Sequence, residues 1–304
     1  MQIAVFIVYP IATGFFWSCY LFLLAPCCRR LLPKRYASFN AFNKRCFHQN
    51  MLSGLHTFLS AGCLAAALLR DRSLAFGAAR LYPHDSFLLY VDIAMSLGYF
   101  SFALPISVVM STAGFPYGSR LMVAHHALVV VAQSTFLLTG YPSGYMAASG
   151  LLFELTNIFF VPHLLLVQLS AAASARHALG LCLAFVYTLS RCFACMALAL
   201  CSVADLRAFA PPLAAGWLFA SIGLASFYGL LLISLYWYVQ SVLPSVHTGL
   251  RQLLGETYCH HCFPVELRRA LWHTVTYEGR ERSAESRLRF RALQELRAEM
   301  AERE

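Results

Sequence analysis

Residues 121–169 read LMVAHHALVVVAQSTFLLTGYPSGYMAASGLLFELTNIFFVPHLLLVQL, and Glu154 is the only Lys, Arg, Asp or Glu among them. The chain folds back at Tyr141-Pro142, which splits the stretch into two apolar arms. His126 and Asn157 each lie about 15 residues from that turn. Two antiparallel helices would therefore carry them at about the same depth. Polar and ionisable side chains are costly in hydrocarbon, so histidines facing a carboxylate and an amide mark a functional site inside a membrane bundle.

Composition extends that reading outward. Of 304 residues, 59% are hydrophobic and 12% charged, about half the charge of an average soluble domain. A spanning helix needs about 20 apolar residues. Seven segments meet or approach that length: Ile3–Ala25, Gln49–Leu69, Ser86–Met110, Leu121–Leu138, Tyr145–Leu169, His177–Val203 and Leu213–Gln240. No single soluble core hides seven such runs, so the fold class is an all-α polytopic membrane protein. The chain divides into an N-terminal helix with a basic loop (residues 1–43), a transmembrane domain (44–240) and a charged tail (241–304).

Lys and Arg favour the cytosolic side. Arg29, Arg30, Lys34, Arg35, Lys44 and Arg45 follow the first segment, and ten arginines follow the last. Arg120 and Arg176 fall in the other loops on that side, whereas Arg70, Arg72, Arg80 and Arg207 fall opposite. The expected orientation is a lumenal N-terminus and a cytosolic C-terminus. The net charge of +9 then suits anionic lipid headgroups and calls for no nucleic acid. The first segment lacks a basic n-region and a small-residue cleavage site, so it reads as a retained helix. Cys27 and Cys28 sit where cytosolic cysteines are palmitoylated; unmodified thiols fit as well. Arg280–Glu304 reads either as a solvated helix or as an amphipathic one on membrane or partner. Cys259-His260-His261-Cys262 lacks the second ligand pair of a zinc site, so no metal is assigned.

His125 and His126 are the candidate catalytic imidazoles, able to act as base or nucleophile. Glu154 and Asn157 share a face of the fifth segment. The carboxylate is the candidate for orienting an imidazole. Arg191 lies mid-segment, where an unpaired guanidinium is costly, and the expected partner is Glu154 rather than Asp92. His56 reads as a packing histidine or a ligand-binding one, and His163 is set aside as pointing off the Glu154 face. The bland alternative for the whole set is interhelical hydrogen bonding without function. A transporter could use the same residue types, but the chain shows no internal repeat.

Taken in order, Ser53-Gly54-Leu55-His56, Gly98-Tyr99-Phe100, Ala124-His125-His126, Phe153-Glu154-Leu155-Thr156-Asn157-Ile158-Phe159 and Arg191 resemble the TLC-domain family. That family includes ceramide synthases and several non-synthase membrane proteins. The resemblance runs from about Lys44 to Gln240 and implies a six-helix barrel with the first helix as an accessory. The paired histidines resemble His125-His126. A His-Asp-x-Ser-Asp stretch of the synthases stands where this chain has Phe153, Glu154 and Asn157. The substitutions leave one carboxylate where the synthase pattern has two. The aspartate common after Gly-Tyr is also missing, as is the homeobox-like segment. The pattern is thus closer to the divergent, non-synthase branch. It implies binding of a lipid or acyl chain, lipid homeostasis and an endoplasmic reticulum location, with Asn157, Arg191, His56 and Asp92 as ligand-binding residues. No cofactor is implied. The alternative is a ceramide synthase-like N-acyltransferase, with acyl-CoA as co-substrate and His125-His126 as its centre.

Overall fold

The structure, a computed structural model, describes residues 2–75, 77–112 and 120–243. Expectations for Arg280–Glu304 and Cys259–Cys262 lie outside the described residues. Among the described residues, seven helices are long and apolar enough to cross a membrane. They are α1 (Phe6–Leu31), α2 (Asn43–Arg70), α3 (Phe87–Ser111), α4 (Arg120–Thr139), α5 (Ser143–Gln168), α6 (Ser174–Ala208) and α7 (Ala214–Trp237). Phe6, Phe22, Phe185 and Leu200 stand exposed on their outer faces, as lipid-facing side chains do. The protein is a multi-pass helical membrane protein.

Six helices close a ring. α2 packs against α3, α3 against α4, α4 against α7, α7 against α6, α6 against α5, and α5 against α2. α1 lies outside that ring against α3. Gly98 allows that approach: a Cβ there would stand 2.7 Å from the Ala12 Cβ and 2.9 Å from the Thr13 backbone nitrogen. The glycine of the Gly98-Tyr99-Phe100 stretch thus serves helix packing, while Phe100 lines the interior and Tyr99 packs between Phe16 and His56.

α4 and α5 are antiparallel across the tight turn at Gly140 but pack little against each other. Pro142 seats instead on α7 at Gly223, where an added Cβ would lie 2.2 Å from the Pro142 Cδ. α5 gives its other side to α2. The two arms of the opening stretch therefore flank the barrel interior.

α6 runs past the expected end at Val203 to Ala208. Asp205, in that extension, is buried and neutralised by Arg80. The Arg80 Nη2 lies 2.8 Å from the Asp205 Oδ2, and Tyr145 donates its hydroxyl to the same oxygen at 2.7 Å. Arg80 comes from the α2–α3 connection, which is two short turns, Arg72–Leu74 and Ala78–Leu81. Leu74 and Leu81 are fully buried, so this segment is part of the interior and covers one end of the ring.

Removing one member of a buried ion pair leaves the other uncompensated, at a cost of about 3–5 kcal/mol, whereas replacing both with apolar groups is far cheaper. Asp205→Leu should therefore lower thermal stability in detergent markedly. The double variant Arg80→Met/Asp205→Leu should recover most of the loss.

Candidate functional site

A cavity of about 70 Å³ occupies the ring interior, lined by His125, Glu154, Asn157, Arg191, Asp92 and Gln133 among mostly apolar neighbours that include Phe227 and Leu230. That volume accommodates several water-sized groups. Helices four and five, which carry His125 and Glu154, thus present polar side chains to one space.

Arg191 organises the centre. It sits in a π-helical stretch of α6, Thr188–Ala194, a local widening common at functional sites. Its Nη2 donates to the Phe153 carbonyl at 3.0 Å and to the Asn157 Oδ1 at 3.2 Å. Its Nη1 donates to the Ser234 Oγ on α7 at 3.1 Å. The guanidinium also lies over the rings of Phe153, 4.7 Å to the centroid, and Tyr187, at 5.3 Å, where cation–π attraction adds to the hydrogen bonds.

The expected Arg191–Glu154 pair is not formed; among the described residues no carboxylate lies within 4.0 Å of that guanidinium. The Asn157 amide stands between the two. It accepts from Arg191 and donates through Nδ2 to the Glu154 Oε2 at 3.2 Å. An aspartate at this position could not donate to Glu154 in its ionised form. The amide that breaks the synthase-like pattern is thus the group that links cation to carboxylate.

Glu154 meets an imidazole, but that of His56 rather than His125 or His126. The Glu154 Oε1 lies 3.9 Å from the His56 Nδ1. The other His56 nitrogen contacts the Ser96 Oγ at 2.5 Å, and its ring stacks on Tyr99 at 4.3 Å. His56, which the sequence left between packing and ligand, is buried behind Glu154 and off the cavity wall.

The histidine pair divides. His126 is buried against α3, with its Nδ1 2.9 Å from the Ser107 Oγ, and does not line the cavity. His125 does, and its Nδ1 has no partner; its ring lies 5.5 Å from that of Trp237. Thr156 points to Ser190 instead, at 2.8 Å, and His163 packs beside Gly180 away from the cavity. Among the described residues no group of three metal-ligating side chains forms.

Two contributors escaped the sequence reading. Ser234 is one of many small hydroxyls in apolar helices and carries no distinguishing signal. Gln133 was legible, since it follows His125 by about two helical turns on the same face.

Asn157→Leu removes both bridging hydrogen bonds and should cost about 1–3 kcal/mol. Thermal unfolding in detergent checks this; unchanged stability would mean that the bridge contributes nothing.

No curated protein matches the chain in sequence. The TLC-domain profile matches residues 46–242, the segment that forms the six-helix ring and contains every residue of the cavity. The chain therefore belongs to the TLC-domain family and is a multi-pass membrane protein of lipid metabolism or homeostasis.

Proposed function

We propose that the barrel holds a lipid or acyl chain with its polar group in the central cavity, and that the protein acts in lipid homeostasis of the endoplasmic reticulum. The carrying observation is the cavity itself: His125, Glu154, Asn157 and Arg191 converge on an interior whose other walls are mostly apolar. That combination suits an amphiphile, with polar groups fixing its head and apolar walls receiving its chain. Sphingolipids and ceramide fit this description as amphiphiles with hydrogen-bonding heads. The basic residues of Arg29–Arg45 and the arginine-rich tail support a cytosolic location for those segments and a lumenal N-terminus. The tail's charge suits anionic lipid or an acidic protein partner.

A second reading, acyl transfer from acyl-CoA to a long-chain amine, draws on one observation. His125 lines the cavity, and its buried Nδ1 has no hydrogen-bond partner. There it would take the amine proton as the N–C bond forms and the thioester C–S bond breaks, the proton ending on the departing thiolate. Glu154 would act at a distance in such a scheme, since its imidazole neighbour is His56.

Mass spectrometry of lipids that co-purify with the protein tests the first reading. A defined lipid class at near-equal amount should accompany the wild type, and Arg191→Met should reduce it about tenfold or more, the scale of one lost charged hydrogen bond. Absence of any retained lipid would overturn it. Amide formation from acyl-CoA and long-chain amine, abolished by His125→Ala, would favour the second reading instead.

A further inference from the structure

The cavity has a second polar pole. Asp92 lies about five residues inside α3 from its Phe87 end, and Gln133 about six residues before the Thr139 end of the adjacent α4. Both are therefore about 8–9 Å deep from the same side of the ring. Both are buried, 1% and 6% exposed, and both line the cavity with Ser60 and Ser96. The Asp92 Oδ1 and the Gln133 Oε1 have no hydrogen-bond partner. A buried polar atom without a partner costs about 1–3 kcal/mol, and the two residues that carry these atoms line one cavity from neighbouring helices. Arg191 and Asn157, by contrast, are engaged with each other and with Phe153, Ser234 and Glu154.

We propose that the Asp92–Gln133 pole is a binding site for a hydrogen-bond donor, an amine or a hydroxyl, on the head of the molecule the barrel holds. The assignment rests on the lipid-binding reading and adds the polarity of the ligand. The two unpaired oxygens match a group with one or more N–H or O–H bonds, whereas a phosphate or carboxylate, having only acceptors, would leave both unpaired. Selectivity follows the same rule: a site built to receive a donor discriminates strongly against an analogue lacking it, because its own polar atoms would stay unpaired.

The test compares lipids retained by wild type, Asp92→Leu, Asp92→Asn and Gln133→Leu, quantified by head-group class after purification of the full chain. Each variant is first checked by size exclusion and thermal unfolding, and Gln133→Leu carries the test if the Asp92 variants fail to fold. The expected result is a retained lipid with a free amine or hydroxyl. Asp92→Leu and Gln133→Leu should each cut its amount about tenfold or more, the scale of one buried hydrogen bond in a site without water. Asp92→Asn separates the two donors: an asparagine carbonyl still accepts from a hydroxyl, so a hydroxyl lipid is kept and an ammonium lipid is lost. A retained lipid with no donor on its head, or one whose amount is unchanged in folded Asp92→Leu and Gln133→Leu, overturns this inference and leaves the lipid-binding reading intact. Wild type without lipid overturns both.

Discussion

A guanidinium buried midway along an apolar helix constrains everything around it. A guanidinium keeps its charge in proteins and offers donors only. Placing a charge in hydrocarbon costs at least about 2.5–3.5 kcal/mol even with relaxation. The protein meets that cost with acceptors from two other helices: the Phe153 carbonyl and the Asn157 amide on α5, and the Ser234 hydroxyl on α7. Those contacts tie α6 to both of its neighbours in the ring. Separating these three helices would leave the contacts unmade, so the arginine and this side of the ring depend on each other.

The second buried cation follows the same logic at one end of the ring. Arg80 reaches Asp205 and lies 5.2 Å from the Tyr145 ring centroid, which pulls the α2–α3 connection into the interior. The two cations differ in their partners. Arg80 has a direct carboxylate and a short, saturated contact, as a structural pair does. Arg191 has only neutral acceptors, and its Nε stays without a partner. Its guanidinium is joined to the Glu154 carboxylate only through the Asn157 amide.

Much of the architecture was legible because hydrophobic length is a strong signal. Seven apolar runs fix the number of helices, and the histidines, Glu154 and Asn157 stand out because polar groups in such runs are rare. Ring order was not legible. Neighbours in sequence usually pack together, yet α4 and α5 flank the interior because α7 receives Pro142 at Gly223. Partner choice was not legible either. Glu154 and Arg191 attract in any charge count, but side-chain reach puts the Asn157 amide between them. α6 also runs past Val203 to Ala208, where Arg80 pairs with the buried Asp205.

The replacement of a second acid by Asn157 bears on what the centre can do. With two carboxylates, one would hold a proton that the other had released, an arrangement suited to acid–base exchange. An amide neither gains nor loses a proton there. It fixes the orientation of Glu154 on one side and of Arg191 on the other. Meanwhile His126 is engaged with Ser107 and His56 lies between Glu154 and Ser96, which leaves His125 as the imidazole on the cavity wall. One imidazole on the wall, and a rigid amide in place of a second acid beside Glu154, suit the holding of a polar head better than proton exchange. That is why the binding reading draws more support from this geometry than the transfer of an acyl group does.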